Sequence, residues 1–270
     1  MMCLPHRWQH SNIKAELLLS QSLIRFYFNK YLINFQTLSR QSESKMESFS
    51  VEIFRDSLKS LDPKCLLNSS ISIDHEKKTL FLLSENQSVS LQRDCYLIGF
   101  GKAVLGVASV LAEKLCEVDD IKIKGGILSV PSGISCLPGN KELIETCSSH
   151  NVIVKEGAKN NLPDTDSQET AEMIINLVKN LQKEDVVFVV ISGGGSSLLP
   201  LPTPDISLEE KLGVVNLLSR GGVSITQLNT VRKTLSSVKE MDCKNRIVHL
   251  AIDGGRLIDM YLKCLGKGSV

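Results

Sequence analysis

A chain of 270 residues, 42% hydrophobic and 23% charged, is long enough for one large or two small domains and can bury a sizeable core. Its formal net charge of +1 excludes the global basic field that nucleic-acid binders use, while a local anion site stays open. No run of about 18 apolar residues is present, so no transmembrane helix is expected, and no compact apolar core with a small-residue cleavage site opens the chain, so neither is a secretory signal.

Residues 1–46 carry Arg7, Lys14, Arg25, Lys30, Arg40 and Lys45 against only Glu16 and Glu43. Basic, serine-containing, acid-poor N-termini of this kind resemble mitochondrial transit peptides. The alternative reading is an extension upstream of an internal start at Met46. The expected location is accordingly cytoplasmic or mitochondrial.

Residues 47–239 alternate strand and helix signals. Val51, Phe54, Leu58 and Leu61 recur at helical spacing. Residues 95–99 read as a buried strand. Val104, Val107, Ala108, Leu111, Ala112 and Leu115 then form one face of an amphipathic helix. Residues 126–130 predict a strand stopped by Pro131-Ser132-Gly133, and residues 152–154 a short one. Asp166 with Glu169 reads as a capping box opening a helix with Ala171, Ile174, Ile175, Val178 and Leu181 on its apolar face. Six consecutive apolar residues, 186–191, suit a strand covered on both faces, as in a parallel sheet. Ser207 with Glu210 caps a helix that ends at Gly221-Gly222, and Ser224 with Gln227 caps the next. Strands alternating with helices at this spacing predict an α/β fold with a mostly parallel sheet. Periodicity fades after Lys239, and residues 240–270 are expected to be a divergent, disordered tail.

Three constellations could carry chemistry. Gly99-Phe100-Gly101-Lys102-Ala103 lies between a buried strand and an amphipathic helix. Glycines there permit a tight turn that exposes amides at a helix N-terminus, where phosphates and carboxylates bind, and Lys102 adds a mobile charge. Ser192-Gly193-Gly194-Gly195-Ser196-Ser197 follows the strand at 186–191. Its amides can form an anion-binding nest and its hydroxyls add donors. Asn229, Arg232, Lys233 and Ser236 share one helical face, opposite Leu228, Val231, Leu235 and Val238. A fourth stretch, Asn161-Leu162-Pro163-Asp164, reads as a plain helix entry. Each has an ordinary alternative: a glycine turn, a flexible loop or a solvated face. None is a Walker A loop, a full dinucleotide fingerprint or a serine-hydrolase elbow. The eight cysteines form no C-x-x-C pair, and five scattered histidines complete no metal-ligand pattern. Cys95 and Cys116 read as buried thiols in a reducing compartment.

Taken together, five segments resemble the class II glycerate kinases, the family with a MOFRL second domain. They are Phe54-Arg55 through Leu61-Asp62-Pro63, then Gly101-Lys102-Ala103, then Glu156-Gly157-Ala158-Lys159-Asn160-Asn161-Leu162-Pro163-Asp164, then Ile191 and Ser192 through Leu199, and Leu228-Asn229-Thr230-Val231-Arg232-Lys233. The resemblance covers roughly residues 47–239. It implies a Rossmann-like domain with helices on both faces of the sheet, and an active site in a cleft against a second domain. The implied reaction transfers the γ-phosphoryl group of ATP, with Mg²⁺, to D-glycerate and yields 2-phosphoglycerate. Lys102 matches the lysine thought to be catalytic. Gly101, Ser192, Gly193, Gly194, Gly195, Ser196, Ser197, Asn229, Arg232 and Lys233 are the expected phosphate, nucleotide or substrate contacts, and no protein metal ligand is assigned. The implied partners are small molecules, with neither nucleic acid nor membrane among them, and no oligomeric state is assigned.

The sequence also departs from the family. Glu240 to Asp253 intervene before Gly254-Gly255-Arg256-Leu257, a stretch that the family joins directly to the signature helix. Beyond Leu257 the resemblance stops. The pattern looks like a product of alternative splicing that lacks the second domain and a catalytic arginine expected there. Three functions remain open: the kinase, a non-catalytic isoform that binds other subunits, and a hydroxypyruvate-reducing oxidoreductase.

Overall fold

A computed structural model describes residues 43–83, 87–182, 185–237, 246–253 and 256–264. The chain divides into two units, Met1–Asp62 and Pro63–Val270. In the first, helix α1 spans Glu43–Ser60 and carries an Asp56–Lys59 ion pair one turn apart. The helical spacing at Val51, Phe54 and Leu58 falls on it. The reading of residues 1–46 as a transit peptide or extension lies outside the described residues, apart from the four that open α1.

The second unit begins with α2 (Pro63–Ser70) and a three-stranded antiparallel sheet, β1 (Ile71–Asp74), β2 (Thr79–Leu82) and β3 (Gln87–Ser90). Its apolar positions alternate, so Ile71, Leu80, Leu82 and Val89 face the core together. The main sheet follows, built from β4 (Cys95–Phe100), β5 (Ile123–Pro131), β6 (Val152–Gly157), β7 (Val186–Ser192), β8 (Arg246–Asp253) and β9 (Arg256–Cys264). The spatial order is β6-β5-β4-β7-β8-β9. All neighbours pair in parallel except β8 with β9.

Both faces of this sheet are apolar, and the alternation assigns each residue to a side. Cys95 and Leu97 of β4, Leu128 and Val130 of β5, and Val186, Phe188 and Val190 of β7 share one core. Helix α3 (Val104–Cys116) packs there through Val104, Val107, Ala108, Leu111, Ala112 and Leu115, the face expected from sequence. Helix α4 (Asn140–Ser149) adds Cys147 on the same side. Ile98, Ile127 and Val187 form the second core with Ala171 and Ile174 of α5 (Thr165–Lys179). The fold is therefore α/β with helices on both faces. Cys95 and Cys147 are free, and burial pushes each thiol up to about 12, so neither is a ready nucleophile.

The short α6 (Gly195–Leu198) follows β7. The capping boxes Ser207/Glu210 and Ser224/Gln227 open α7 (Leu208–Arg220) and α8 (Ile225–Thr234) as expected. Two expectations are corrected. The box on α5 is formed by Asp164 and Ser167, not Asp166 and Glu169, because the Asp164 carboxylate also takes two loop amides. Residues 240–270, expected as a disordered tail, contain β8 and β9. Helical periodicity does fade there, but residues 246–252 hold a short, mostly apolar run, and Gly254-Gly255 is a hairpin signal.

Candidate functional site at the sheet's switch point

The chain leaves β4 toward β5 and β6, then returns to place β7 on the other side of β4. The loops after β4 and β7 therefore diverge, opening a crevice at the strands' carboxyl ends, where open α/β sheets hold ligands. The first two sequence constellations meet here. Phe100 pairs in register with Ile191, which sets Gly101 beside Ser192.

Gly101 has φ +142°, and a Cβ there would lie 2.8 Å from the Ser192 carbonyl oxygen. Only glycine tolerates that approach. The amide of Lys102 donates to the Gly193 carbonyl at 2.9 Å, and the amide of Ala103 to Ser192 Oγ at 3.0 Å. Gly194 has φ +91°, and a side chain there would start 3.2 Å from Cγ and Cε of Lys102. The lysine stem thus lies across a bare glycine. Its ammonium is exposed and has no hydrogen bond or ion pair among the described residues.

One of the two expected sources of free amides is not one. The turn at 101–103 exposes none, because Gly101, Lys102 and Ala103 all donate within the protein, the first to Ser129 O at 3.2 Å. The amides of Gly194, Gly195 and Ser196 have no hydrogen-bond partner among the described residues. Ser197 turns inward, its amide and hydroxyl both donating to Gly194 O. The arrangement lays a lysine stem across Gly194, next to three amides with no partner among the described residues, a combination suited to a phosphate or carboxylate.

Among the described residues, no hydrogen bond or ion pair joins the third constellation to the first two. On α8, Asn229 and Lys233 are exposed and Arg232 is half-buried, its guanidinium donating to Asn229 Oδ1 at 3.4 Å. Leu228 packs inward as expected. Ser236 does not share their face: α8 ends at Thr234, and Ser236 is buried in a bridge to Pro202. Ser237 also donates to Leu201 and Pro202, tethering the end of α8 to the segment that follows the glycine loop.

Three residues that support this edge were not singled out for it from sequence. Ser129, at the end of β5, accepts from Gly101 and donates its hydroxyl to Leu198 O, linking the loops after β4 and β7. Glu156, near the end of β6, accepts from the amides of Gly133 at 2.6 Å and Ser135 at 2.8 Å. Burial opposes its charge, but those amides hold its carboxyl below the usual range. Asp164 accepts from Ala158, Lys159 and Ser167 at 2.8–2.9 Å. It is more than a helix entry, since it clamps a loop in which Ala158, Asn160 and Asn161 have φ of 54°, 56° and 60°. For Ser129 and Glu156 a place near a strand end was the available signal, and for Asp164 its place just before a helix.

Burial raises the Asp164 carboxyl, yet the amides of Lys159, Ala158 and Ser167 outweigh it and bring the pKa from 3.8 to about 2. A depressed pKa adds stability that is fully present above the ordinary value and is lost as pH falls through the folded one. Thermal melts between pH 4 and 2 are expected to show the wild type losing stability faster than Asp164→Asn. Parallel curves would remove the clamp.

Gly194→Val is expected to abolish anion binding at the loop. A β-branched residue disfavours φ +91°, and its Cβ would push on the Lys102 stem. Titration with ATP and with glycerate checks this, and unchanged affinity for both would exclude the loop as a ligand site.

Comparison with known proteins finds relatives of this chain. The family described as a domain of unknown function, DUF4147, matches residues 49–240. Glycerate kinase of Rattus norvegicus is 39% identical over 191 residues, covering 70% of this chain and 35% of the relative. Glycerate kinase of Danio rerio is 48% identical over 155 residues, covering 57% of this chain and 30% of the relative. The crystal structure of glycerate kinase from Thermotoga maritima superposes with a TM-score of 0.58 at 25% identity, covering 77% of this chain and 43% of that one. The chain spans about a third of the length of the curated relatives it matches.

Proposed function

The chain belongs to the DUF4147 family, and on that premise we propose that it carries the phosphate-handling part of a glycerate kinase that transfers the γ-phosphoryl group of ATP to D-glycerate. One observation carries this reading: the Lys102 stem crosses Gly194, beside the amides of residues 194–196 that have no partner among the described residues, at the switch point between β4 and β7. Phosphoryl transfer asks a protein for positioning and for charge stabilisation on the equatorial oxygens. Lys102 supplies a mobile cation for those oxygens, and the loop amides supply donors fixed before the reaction starts. The C2 hydroxyl of glycerate attacks the γ-phosphorus and gives up its proton to water, the bond to the β-phosphate oxygen breaks, and 2-phosphoglycerate and ADP leave. Asn229, Arg232 and Lys233 are assigned to a further part of the substrate surface.

Mg²⁺ belongs to the proposal as the companion of ATP. No cluster of three or more His, Cys, Asp or Glu is placed to hold a metal among the described residues. The ion is therefore assigned to the phosphates, and no step is routed through it. No described helix is long and apolar enough to cross a membrane. The proposed location is cytoplasmic or mitochondrial.

The test is formation of 2-phosphoglycerate from ATP and D-glycerate by a form extended to the length of the relatives, beside oxidation of NADH with hydroxypyruvate. Phosphorylation without NADH oxidation is expected, and the reverse would replace the kinase by an oxidoreductase.

A further inference from the structure

Ser192 was expected to present its hydroxyl to a ligand, but the structure engages that oxygen within the protein. Its Oγ accepts the amide of Ala103, the residue directly after Lys102, at 3.0 Å. The next carbonyl in its strand, Gly193 O, accepts the amide of Lys102 itself at 2.9 Å. The Ser192–Gly193 pair thus grips two consecutive amides of the β4–α3 turn from the neighbouring strand. The side-chain bond comes from a residue only 8% exposed, and α3 has no side-chain cap of its own. Gly101, at φ +142°, permits the close approach.

We propose that Ser192 is a positioning residue for Lys102: its hydroxyl fixes the peptide that follows the lysine, so that the lysine stem stays across Gly194, beside the loop amides. A lysine side chain has a long flexible stem, and its use as a phosphate contact depends on where its backbone is held. Without the Ser192 oxygen, the Ala103 amide loses its partner and the turn loses its side-chain tie to β7. This role rests on the reading of Lys102 as a phosphate contact, and the experiment separates the two.

ATP binding to the 270-residue chain is measured by calorimetry for the wild type, Lys102→Ala, Ser192→Ala and the double variant. Circular dichroism melts establish that each is folded. Where Ser192→Ala does not fold, Ser192→Cys, which keeps the volume but not a strong oxygen acceptor, replaces it. Lys102→Ala is expected to weaken ATP about tenfold and Ser192→Ala about fivefold. A residue that acts through Lys102 adds nothing once Lys102 is gone, so the double variant is expected to match Lys102→Ala. Additive losses of about fiftyfold would make Ser192 a direct ligand contact and overturn its positioning role, leaving Lys102 in place. An unchanged affinity in Ser192→Ala would overturn it as well. Wild-type affinity in Lys102→Ala, or no ATP binding by the wild type, would remove the reading of the site and Ser192's role with it.

Discussion

Lys102→Ala, in a form extended to the length of the relatives, is expected to lower turnover by roughly 10²–10³-fold, the loss typical of removing one preorganised donor from a transition state. Stability is expected to change by no more than about 0.5 kcal/mol, as for other surface substitutions. The two magnitudes separate because of where the side chain sits. Lys102 is exposed and has no hydrogen bond or ion pair among the described residues, so the folded state gains little from its charge. Its backbone, by contrast, is held by Gly193 and its stem rests on Gly194. A cation held in this way contributes little until negative charge arrives beside it. Initial rates with saturating ATP and D-glycerate, together with thermal melts, check both halves. Full turnover in the variant would take Lys102 out of the chemistry. A large fall in melting temperature would make its role structural.

Local features of the fold were the most legible in the sequence. The apolar run in β7, the apolar face of α3 and the boxes Ser207/Glu210 and Ser224/Gln227 each depend on residues within a few positions of one another. The failures have tertiary causes. Asp164 and Asp166 are both plausible helix caps by composition, and Asp164 takes the role because Ala158 and Lys159 present amides to it from the preceding loop. Ser236 has the right spacing for the face of α8, but pairing with Pro202 ends the helix first. The strands β1 to β3 are four residues each, too short for alternation to stand out, and were not anticipated.

The site was legible as separate parts. Both glycine segments could be found from their positions after apolar strands. Their meeting could not, because Lys102 and Gly194 are brought together only by the pairing of β4 with β7. The amides of the turn at 101–103 were also expected to be free, and they are engaged for the same reason. Which amides remain unpaired depends on the neighbouring strand, and Ser129, Ser192 and Gly193 lie far along the chain from the residues they bind.

The 270-residue chain by itself is expected to form no measurable 2-phosphoglycerate, although its switch-point site binds ATP. Rapid phosphoryl transfer needs cations, metal and acceptor held together in a closed, water-poor site. The chain matches 35% of the length of the Rattus norvegicus relative, so residues from the other two thirds of such a protein are not supplied by it. Lys102 and Lys233 are exposed here, and high dielectric weakens each of their interactions several-fold relative to a closed cleft. Apolar side chains are exposed as well. Leu137 and Leu162 stand 56% and 59% exposed in the loops after β5 and β6, at the same sheet edge as the site, and Leu217 on α7 reaches 72%. Such surface is expected to bind hydrophobic dyes and to draw the chain into soluble aggregates or onto another subunit. Light scattering and dye fluorescence on residues 47–270, beside a coupled assay for phosphoglycerate, test all of this in one preparation. A monodisperse monomer turning over D-glycerate at roughly 1–100 per second, as kinases do, would place a complete active site within these residues and overturn the expectation.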